Sequence, residues 1–246
     1  MNNITAVWGS PSSGKTVTSM KLARELEAAR RNVIVIFADL FCPVLPSVLP
    51  EVDAGNRTLG RLLSKPHIKQ IDILQTAIPI PKHEYIAVIG YKNGDNIFTY
   101  PEFLAERVTE FFSQLRKVAD YVIIDCSSIL TEDGFTTIAL QQADKVLRLV
   151  NADLKSYSYF TSHLPLISRA KFKADSHIKV LSNLSAGQEE DSFRQAFGDI
   201  TYTLPHVPEI REQLNSARLP ELLSTKEARP YESTMTKMAK EVFSLE

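Results

Sequence analysis

The chain has 246 residues, enough to bury a sizeable core in one large domain or two small ones. Its composition, with 44% hydrophobic and 23% charged residues, 9 glycines and 13 prolines, excludes collagen-like, low-complexity and highly charged disordered chains. The formal net charge of −1 gives the molecule as a whole no electrostatic reason to bind nucleic acid or an anionic membrane.

Short segments rich in β-branched residues alternate along the chain with longer segments of helical periodicity. The predicted strands are Ile4–Trp8, Val33–Ala38, Tyr85–Gly90, Tyr121–Asp125, Val146–Val150, Ile178–Ser182 and Ile200–Leu204. This alternation predicts an α/β fold with a mostly parallel, doubly wound sheet of about seven strands and helices on both faces. Because no linker-like stretch interrupts the pattern, residues 1–246 are predicted to form one domain.

The helical segments differ in how clearly the sequence defines them. The clearest helix is predicted over Glu102–Val118, where apolar residues recur every three or four positions. Residues 43–82 are rich in proline and are predicted to form an irregular excursion with two short helices. Near the C-terminus, apolar side chains recur at helical spacing at Tyr231, Met235, Met238 and Val242. Few cations accompany them, which favours a helix packed on the core over a membrane anchor.

A phosphate-binding motif directly follows the first predicted strand. The motif GxxxxGK[ST] is matched by Gly9, Ser10, Pro11, Ser12, Ser13, Gly14, Lys15 and Thr16, and a helix-forming segment continues from Val17. In this context the loop amides and the N-terminal end of the helix hold phosphate oxygens. Lys15 supplies a cation at the β- and γ-phosphates, and the Thr16 hydroxyl is a ligand of Mg²⁺. Residues 9–17 therefore predict a site for a nucleoside triphosphate with Mg²⁺.

Two aspartates end predicted strands, at the edge where open α/β sheets bind ligands. Asp125 closes the strand Tyr121–Asp125 and is predicted to orient Mg²⁺ directly or through water. Asp39 follows the second strand and is predicted to position or deprotonate the attacking water, and it is also a candidate Mg²⁺ ligand. The alternative for each is an aspartate that only caps a turn or helix.

These motifs resemble those of the deviant-Walker P-loop ATPases of the ParA/MinD superfamily over almost the whole chain. The matching segments are Gly9–Thr16, Phe37–Pro43, Asp120–Asp125 and Ala143–Asp153. The resemblance implies ATP as the nucleotide. It also implies that Asn183 reads the adenine, since an amide offers both a donor and an acceptor, and that Pro205 lies beside the base. For Asn183, a plain turn former after a strand is the alternative.

The chain departs from the superfamily pattern at three places, one of which is Cys126–Ser128, where the superfamily usually has Thr-Pro-Pro after the Walker-B acid. Ser10 stands where the superfamily has its signature lysine, which reaches the partner's nucleotide across a dimer, and Phe37 replaces the first acid of a DxD segment. In this respect the chain resembles the CpaE/TadZ branch most closely, whose members often have eroded ATPase motifs. A non-catalytic ATP-binding scaffold is therefore one alternative. The chain also resembles bacterial tyrosine kinases, which leaves a phosphotransferase with Tyr202 or Tyr231 as acceptor as another.

The function expected from these residues is that of an ATP-binding, slowly hydrolysing switch. Its nucleotide state would control dimerisation or partner binding while a cellular structure is positioned or assembled. A nucleotide-dependent homodimer and a protein partner are expected, membrane contact has weak support, and no nucleic-acid patch is apparent. Cys42 and Cys126 have no CxxC spacing, and the N-terminus resembles no secretory signal. A cytoplasmic location is expected, with a peripheral position at the membrane or cell pole left open.

Overall fold

An eight-stranded sheet organises the computed structural model, which describes residues 3–132 and 134–245. The strands are β1 (Ile4–Gly9), β2 (Val33–Phe37), β3 (Ile78–Pro79), β4 (Ile86–Ile89), β5 (Tyr121–Asp125), β6 (Lys145–Asn151), β7 (Ile178–Leu184) and β8 (Tyr202–Pro205). Their order is β3-β4-β2-β5-β1-β6-β7-β8. Every neighbouring pair is parallel except β3 with β4. The predicted mostly parallel α/β fold is confirmed, and all seven predicted strands are present.

Ten α-helices lie in the described part of the chain. They are α1 (Lys15–Ala28), α2 (Leu45–Val48), α3 (Leu59–Leu63), α4 (Gln70–Thr76), α5 (Ala105–Leu115), α6 (Phe135–Gln142), α7 (Leu154–His163), α8 (Glu190–Phe197), α9 (Pro208–Asn215) and α10 (Arg229–Phe243). Short 3-10 turns occupy Leu164–Ile167, Ala170–Phe172, Ala174–Ser176 and Lys226–Ala228. None of the described helices has both the length and the apolar character that crossing a membrane would require.

The prediction for residues 43–82 is wrong in detail. This segment forms three short helices rather than two, and it also contributes the extra strand β3. In β3, Ile78 pairs with Val88 and Pro79 with Ala87 in an antiparallel ladder. Proline is tolerated there because β3 is an edge strand, and an edge strand needs no N–H group on its outer side for pairing with another strand. A strand of two residues is too short to produce a recognisable pattern in the sequence.

The core consists of two layers, one on each face of the sheet. Successive side chains of a strand point to opposite faces, so Val7 and Ile123 belong to one layer while Ala6 and Ile124 belong to the other. Helices α1 and α10 cover the first face, and α5, α6 and α7 cover the second. Because both faces are buried, the strands are nearly continuous apolar runs, as is typical of parallel sheets.

The C-terminal apolar residues lie on the inward face of α10. Tyr231, Met235, Met238 and Val242 are all buried, in the same layer as Met20 of α1. The interpretation of this segment as a core helix is therefore confirmed. This packing also closes one side of the cavity described below, because Tyr231 reaches its wall.

Candidate nucleotide-binding site

A cavity of about 730 Å³ lies at the edge of the sheet where the parallel strands β1, β5, β7 and β8 end. Its lining comes from six parts of the chain: the loop and helix start at Pro11–Thr18, residues between Asp39 and Ser47, Asp125–Ile129, Ser182–Asn183, residues between Leu204 and Asn215, and Tyr231 of α10. A volume of this order suits a small-molecule ligand of nucleotide size. The site therefore occupies the crevice at the carboxyl ends of the strands, where open α/β sheets bind ligands.

The loop between β1 and α1 has the backbone of a phosphate cradle. A Cβ atom on Gly9 would lie 2.2 Å from the backbone oxygen of Leu149, so only glycine allows β1 to end this close to β6. Ser12 and Gly14 adopt left-handed backbone angles, with φ of 60° and 81°. Gly14 precedes α1 and has no side chain with which to cap it. The first-turn N–H groups of α1 are thus left for an anionic ligand.

Lys15 is folded back over this loop. Its Nζ atom donates hydrogen bonds to the backbone oxygen of Ser10 at 3.1 Å and to Ser128 Oγ at 2.6 Å. Burial lowers the pKa of Lys15, while the carboxylates of Asp125 and Asp39 oppose the shift. Both of its acceptors are neutral groups. A phosphate oxygen would be a stronger acceptor for the ammonium than either, because it carries a negative charge opposite to that of Lys15.

Thr16 and Asp125 form the second polar pair of the site. Thr16 Oγ1 donates a hydrogen bond of 2.6 Å to Asp125 Oδ2. Asp125 Oδ1 is buried and has no hydrogen-bond partner among the described residues. Burial is the main cause that raises the pKa of Asp125 to about 7, and the nearby Asp39 adds to it. An orphaned, buried carboxylate oxygen beside a threonine hydroxyl fits a hard cation, so these residues suit Mg²⁺.

Within residues 3–132 and 134–245, no group of three or more His, Cys, Asp or Glu side chains could hold a metal by itself. This agrees with the usual binding of Mg²⁺, which takes one or two protein ligands and completes its shell with substrate phosphates and water. The predicted pair Thr16 and Asp125 would hold such an ion. Asp39, the third candidate ligand, lines the same cavity.

Asp39 also has a local structural role. Its Oδ1 atom accepts hydrogen bonds from the backbone N–H groups of Phe41 at 3.0 Å and Cys42 at 3.1 Å. These bonds stabilise the turn after β2. One of the two carboxylate oxygens therefore caps a turn, as the alternative interpretation predicts. Residue 37 pairs with Asp125 across β2 and β5, which places Asp39 just beyond the buried acid. Its catalytic and metal-binding roles stay predictions.

Ser10 and Phe37, two of the departures from the superfamily pattern, are both turned into the protein. Ser10 is 1% exposed, and its Oγ atom shares a hydrogen bond of 2.8 Å with Ser156 Oγ on α7. Phe37 is part of the core. Neither side chain lines the cavity. Of the predicted ligand-binding residues 9–17, residues 11–17 line the cavity, whereas Gly9 and Ser10 do not.

Of the two residues predicted to contact the base, one lines the cavity and the other does not. Asn183 lines the cavity in a left-handed conformation with φ of 56°, and its amide donates a hydrogen bond of 3.0 Å to Asn151 Oδ1. Pro205 ends β8, and among the described residues it is its neighbours Leu204 and His206, rather than Pro205 itself, that line the cavity.

Sequence reasoning missed two parts of this site. One is the second half of helix α9, from which Leu214 and Asn215 line the cavity. The other is Ser128, the hydroxyl acceptor of Lys15. Proline at the start of α9 was a usable helix signal, because proline is favoured in the first turn. Nothing in the sequence indicated that Lys15 contacts Ser128, since the two are far apart along the chain.

No protein-family model matches the sequence, and a search of curated proteins found no match. Solved structures do resemble it. The MinD protein of Pyrococcus horikoshii, in complex with Mg-ADP, is 19% identical with a TM-score of 0.71, over 98% of this chain and 96% of that one. A ParA-family ATPase from Chlorobium tepidum is 15% identical with a TM-score of 0.77, over 97% of both chains.

A third similar structure is a complex of ATP with a variant of McdA from Cyanothece, 17% identical with a TM-score of 0.74 over 100% of this chain and 98% of that one. The similarities extend over nearly the full length of each chain. At these identities they establish the fold, and that result agrees with the resemblance that the sequence motifs indicate. The chain has the fold of the ParA/MinD-type P-loop ATPases.

Proposed function

We propose that this protein binds ATP with Mg²⁺, hydrolyses it slowly, and uses its nucleotide state to control dimerisation or the binding of a protein partner. The process served would be the positioning or assembly of a cellular structure. The observation that carries the proposal is the meeting of Lys15 with the Thr16–Asp125 pair in one cavity beside the N-terminus of α1. The nucleotides in two similar structures, Mg-ADP in MinD and ATP in McdA, support adenine nucleotides as ligands.

Each residue has a defined task in this proposal. The amides at the start of α1 bind phosphate oxygens, and the Lys15 ammonium moves from Ser128 and the Ser10 carbonyl to the β- and γ-phosphates. Thr16 and Asp125 hold Mg²⁺, which when bound neutralises the developing charge on the phosphates. One carboxylate oxygen of Asp39 accepts the hydrogen bonds of the turn after β2. The side chain also lines the cavity, where the carboxylate would orient the attacking water.

The phosphate role of Lys15 can be tested by substitution. Lys15→Ala is expected to weaken ATP binding by at least about tenfold, because a charge-assisted contact to phosphate is lost. Lys117→Ala is the matched control, since Lys117 is exposed on the segment after α5 and does not line the cavity. The dissociation constant for Mg-ATP would be measured by calorimetry. Equal affinities for Lys15→Ala and the parent protein would contradict the proposal.

A non-catalytic ATP-binding scaffold is a second candidate function, favoured by the surroundings of Ser10. The position of the superfamily's signature lysine is filled by a buried serine bound to Ser156, so this side chain cannot reach a nucleotide in a second subunit. ATP retained intact, with no phosphate release above that of Asp39→Ala, would favour the scaffold. Closer kinship with the CpaE/TadZ branch, a cytoplasmic location and a position at the membrane or cell pole stay predictions.

The tyrosine-phosphotransferase alternative is disfavoured by the burial of both proposed acceptors. Tyr202 is buried, and its hydroxyl donates to the carboxylate of Glu241. Tyr231 lines the cavity from α10, but it is buried and belongs to the core. A phosphoryl acceptor must reach the γ-phosphate of a nucleotide bound by another molecule or by its own site, and a hydroxyl packed into the core does so poorly. We therefore do not retain this alternative as a proposed function.

A further inference from the structure

Helix α9 forms part of the wall of the cavity that also contains the phosphate-binding loop. Four of its residues, Ile210, Arg211, Leu214 and Asn215, line the cavity. If a polyphosphate occupies the loop at Lys15, the space beside this helix is available to the nucleoside part of the ligand. The position of α9 then affects how well the nucleoside fits.

Besides the packing of Ile210 against the core, a buried polar contact attaches α9 to the protein. The residue of α9 that is fully buried is Gln213, which is 3% exposed. Its Oε1 atom accepts a hydrogen bond of 2.6 Å from Lys21 Nζ, and its Nε2 atom donates one of 2.9 Å to the backbone oxygen of Leu222. Since Lys21 belongs to α1, this contact joins the wall of the cavity to the helix that begins at the phosphate-binding loop.

Lys21 uses all of its hydrogen-bonding capacity in this contact. Besides Gln213, its ammonium donates to the backbone oxygens of Leu219 at 3.1 Å and Glu221 at 2.6 Å, which lie in the segment after α9. An ammonium group has three donors, and all three are satisfied here. Lys21 is thus the point where α1, α9 and the returning chain meet.

The same returning segment is tied to the first turn of α9. The two carboxylate oxygens of Glu209 accept hydrogen bonds of 2.8 to 3.0 Å from the backbone N–H and side-chain hydroxyl groups of both Ser224 and Thr225. The helix and the chain after it are therefore linked at both ends of α9. Lys21 connects this linked unit to α1.

Burying a lysine is costly, which argues against simple packing as its role. Lys21 is 6% exposed, and burial lowers its pKa to about 8, while the carboxylates of Glu209, Glu232 and Glu221 oppose the shift and Arg24 adds to it. The group therefore stays mainly protonated at neutral pH. An apolar side chain would fill the same space without the desolvation penalty, but it could not hold three oxygen atoms from two segments.

We propose that Lys21 is a positioning residue that holds α9 as the nucleoside-side wall of the cavity, so that affinity for the nucleoside part of ATP depends on it and affinity for the polyphosphate part does not. This inference rests on the proposed nucleotide binding and extends it to a residue that does not touch the ligand. Lys21 acts through Gln213 and the carbonyls of residues 219 and 221.

The test compares two ligands that share the polyphosphate but not the nucleoside. Dissociation constants for Mg-ATP and for inorganic tripolyphosphate with Mg²⁺ would be measured for the parent, Lys21→Met and Gln213→Met. Both variants are expected to bind ATP at least about tenfold more weakly, because α9 loses a charge-assisted hydrogen bond, and to bind tripolyphosphate within about twofold of the parent. Retained tripolyphosphate binding also shows that the variants are folded at the loop.

A matched control is Lys145→Met. Lys145 also donates to backbone oxygens, those of Glu241 and Val242 at the end of α10, but neither it nor these partners line the cavity. This variant is expected to bind both ligands like the parent. Hydrogen exchange adds a second readout, since the amides of α9 should exchange faster in Lys21→Met while those of α1 keep their protection.

Three outcomes overturn this inference, and one of them also removes the proposed function. Unchanged ATP affinity in Lys21→Met and Gln213→Met would show that α9 does not need the contact. Equal losses for ATP and tripolyphosphate would show that Lys21 supports the whole site rather than its nucleoside side. A parent protein that binds neither ligand would overturn nucleotide binding itself, and the inference with it.

Discussion

Among single residues, Asp125 makes the stability of the ligand-free protein depend on pH. Burial raises its pKa from the ordinary 3.8 to about 7, so the folded protein holds a proton that the unfolded chain has released between these values. The stability that the protonated Asp125 gives the folded protein is fully present below the pKa of the unfolded chain. This stability is lost as the pH rises from that value toward 7. The full loss corresponds to about 4 kcal/mol, since one pKa unit equals about 1.4 kcal/mol.

Asp125→Asn should therefore unfold at higher urea concentration than the parent at pH 8, because asparagine keeps an acceptor for Thr16 but never ionises. The expected gain in free energy of unfolding is about 2 to 4 kcal/mol at pH 8 and smaller at pH 5. Urea titrations at the two pH values in the absence of nucleotide and Mg²⁺ measure it. A difference that is the same at pH 5 and pH 8 would show that the carboxyl does not titrate in this range.

At the scale of elements, α10 shows how a helix at the end of the chain can belong to the core. Met238 is fully buried against the layer that contains α1, whereas Lys237, its neighbour on the same helix, is 66% exposed. Met238→Ala is expected to lower the free energy of unfolding by about 2 to 4 kcal/mol, because it leaves a cavity in this layer. Lys237→Ala should change it by less than about 0.5 kcal/mol. Urea unfolding curves with equal slopes test both, and equal effects would contradict the core assignment.

For the whole molecule, the open question is whether nucleotide controls self-association. Two loops that border the cavity carry exposed apolar side chains, Phe41 in the turn after β2 and Ile129 after β5. Binding of a phosphate by Lys15 would release Ser128, next to Ile129, and so alter one of these loops. We therefore expect the nucleotide state to change a contact surface here, as exposed apolar groups are favoured at interfaces.

Sizing the protein without nucleotide, with ADP and with a non-hydrolysable ATP analogue tests this expectation. A dimer is expected only with the triphosphate analogue, since ADP lacks the γ-phosphate that would draw Lys15 furthest from Ser128. Lys15→Ala is the control and should keep one size under all three conditions. If the parent protein has the same size under all three conditions, nucleotide does not control its dimerisation. The protein would then bind nucleotide without acting as a dimerisation switch.

The strands and the phosphate-binding loop were predictable because their signals are local. An apolar run such as Val33–Phe37 or Tyr121–Asp125 is buried on both faces wherever it stands in a parallel sheet, and the loop motif includes its own strand and helix context. Residues 43–82 were less predictable. Three short helices and an edge strand depend on contacts with the rest of the sheet rather than on periodicity within the segment.

The amino-acid sequence by itself determined the α/β class, the phosphate-binding loop with Lys15 and Thr16, and the acid that ends β5, because spacing along the chain specifies each of them. Only the tertiary structure decided that Ser10 is buried against Ser156, that Asp125 keeps an orphaned oxygen, and that Lys21 reaches Gln213. The reason is physical. Burial and hydrogen bonding depend on which distant segments meet, and residues separated by more than a hundred positions leave no mark of their contact in the local pattern.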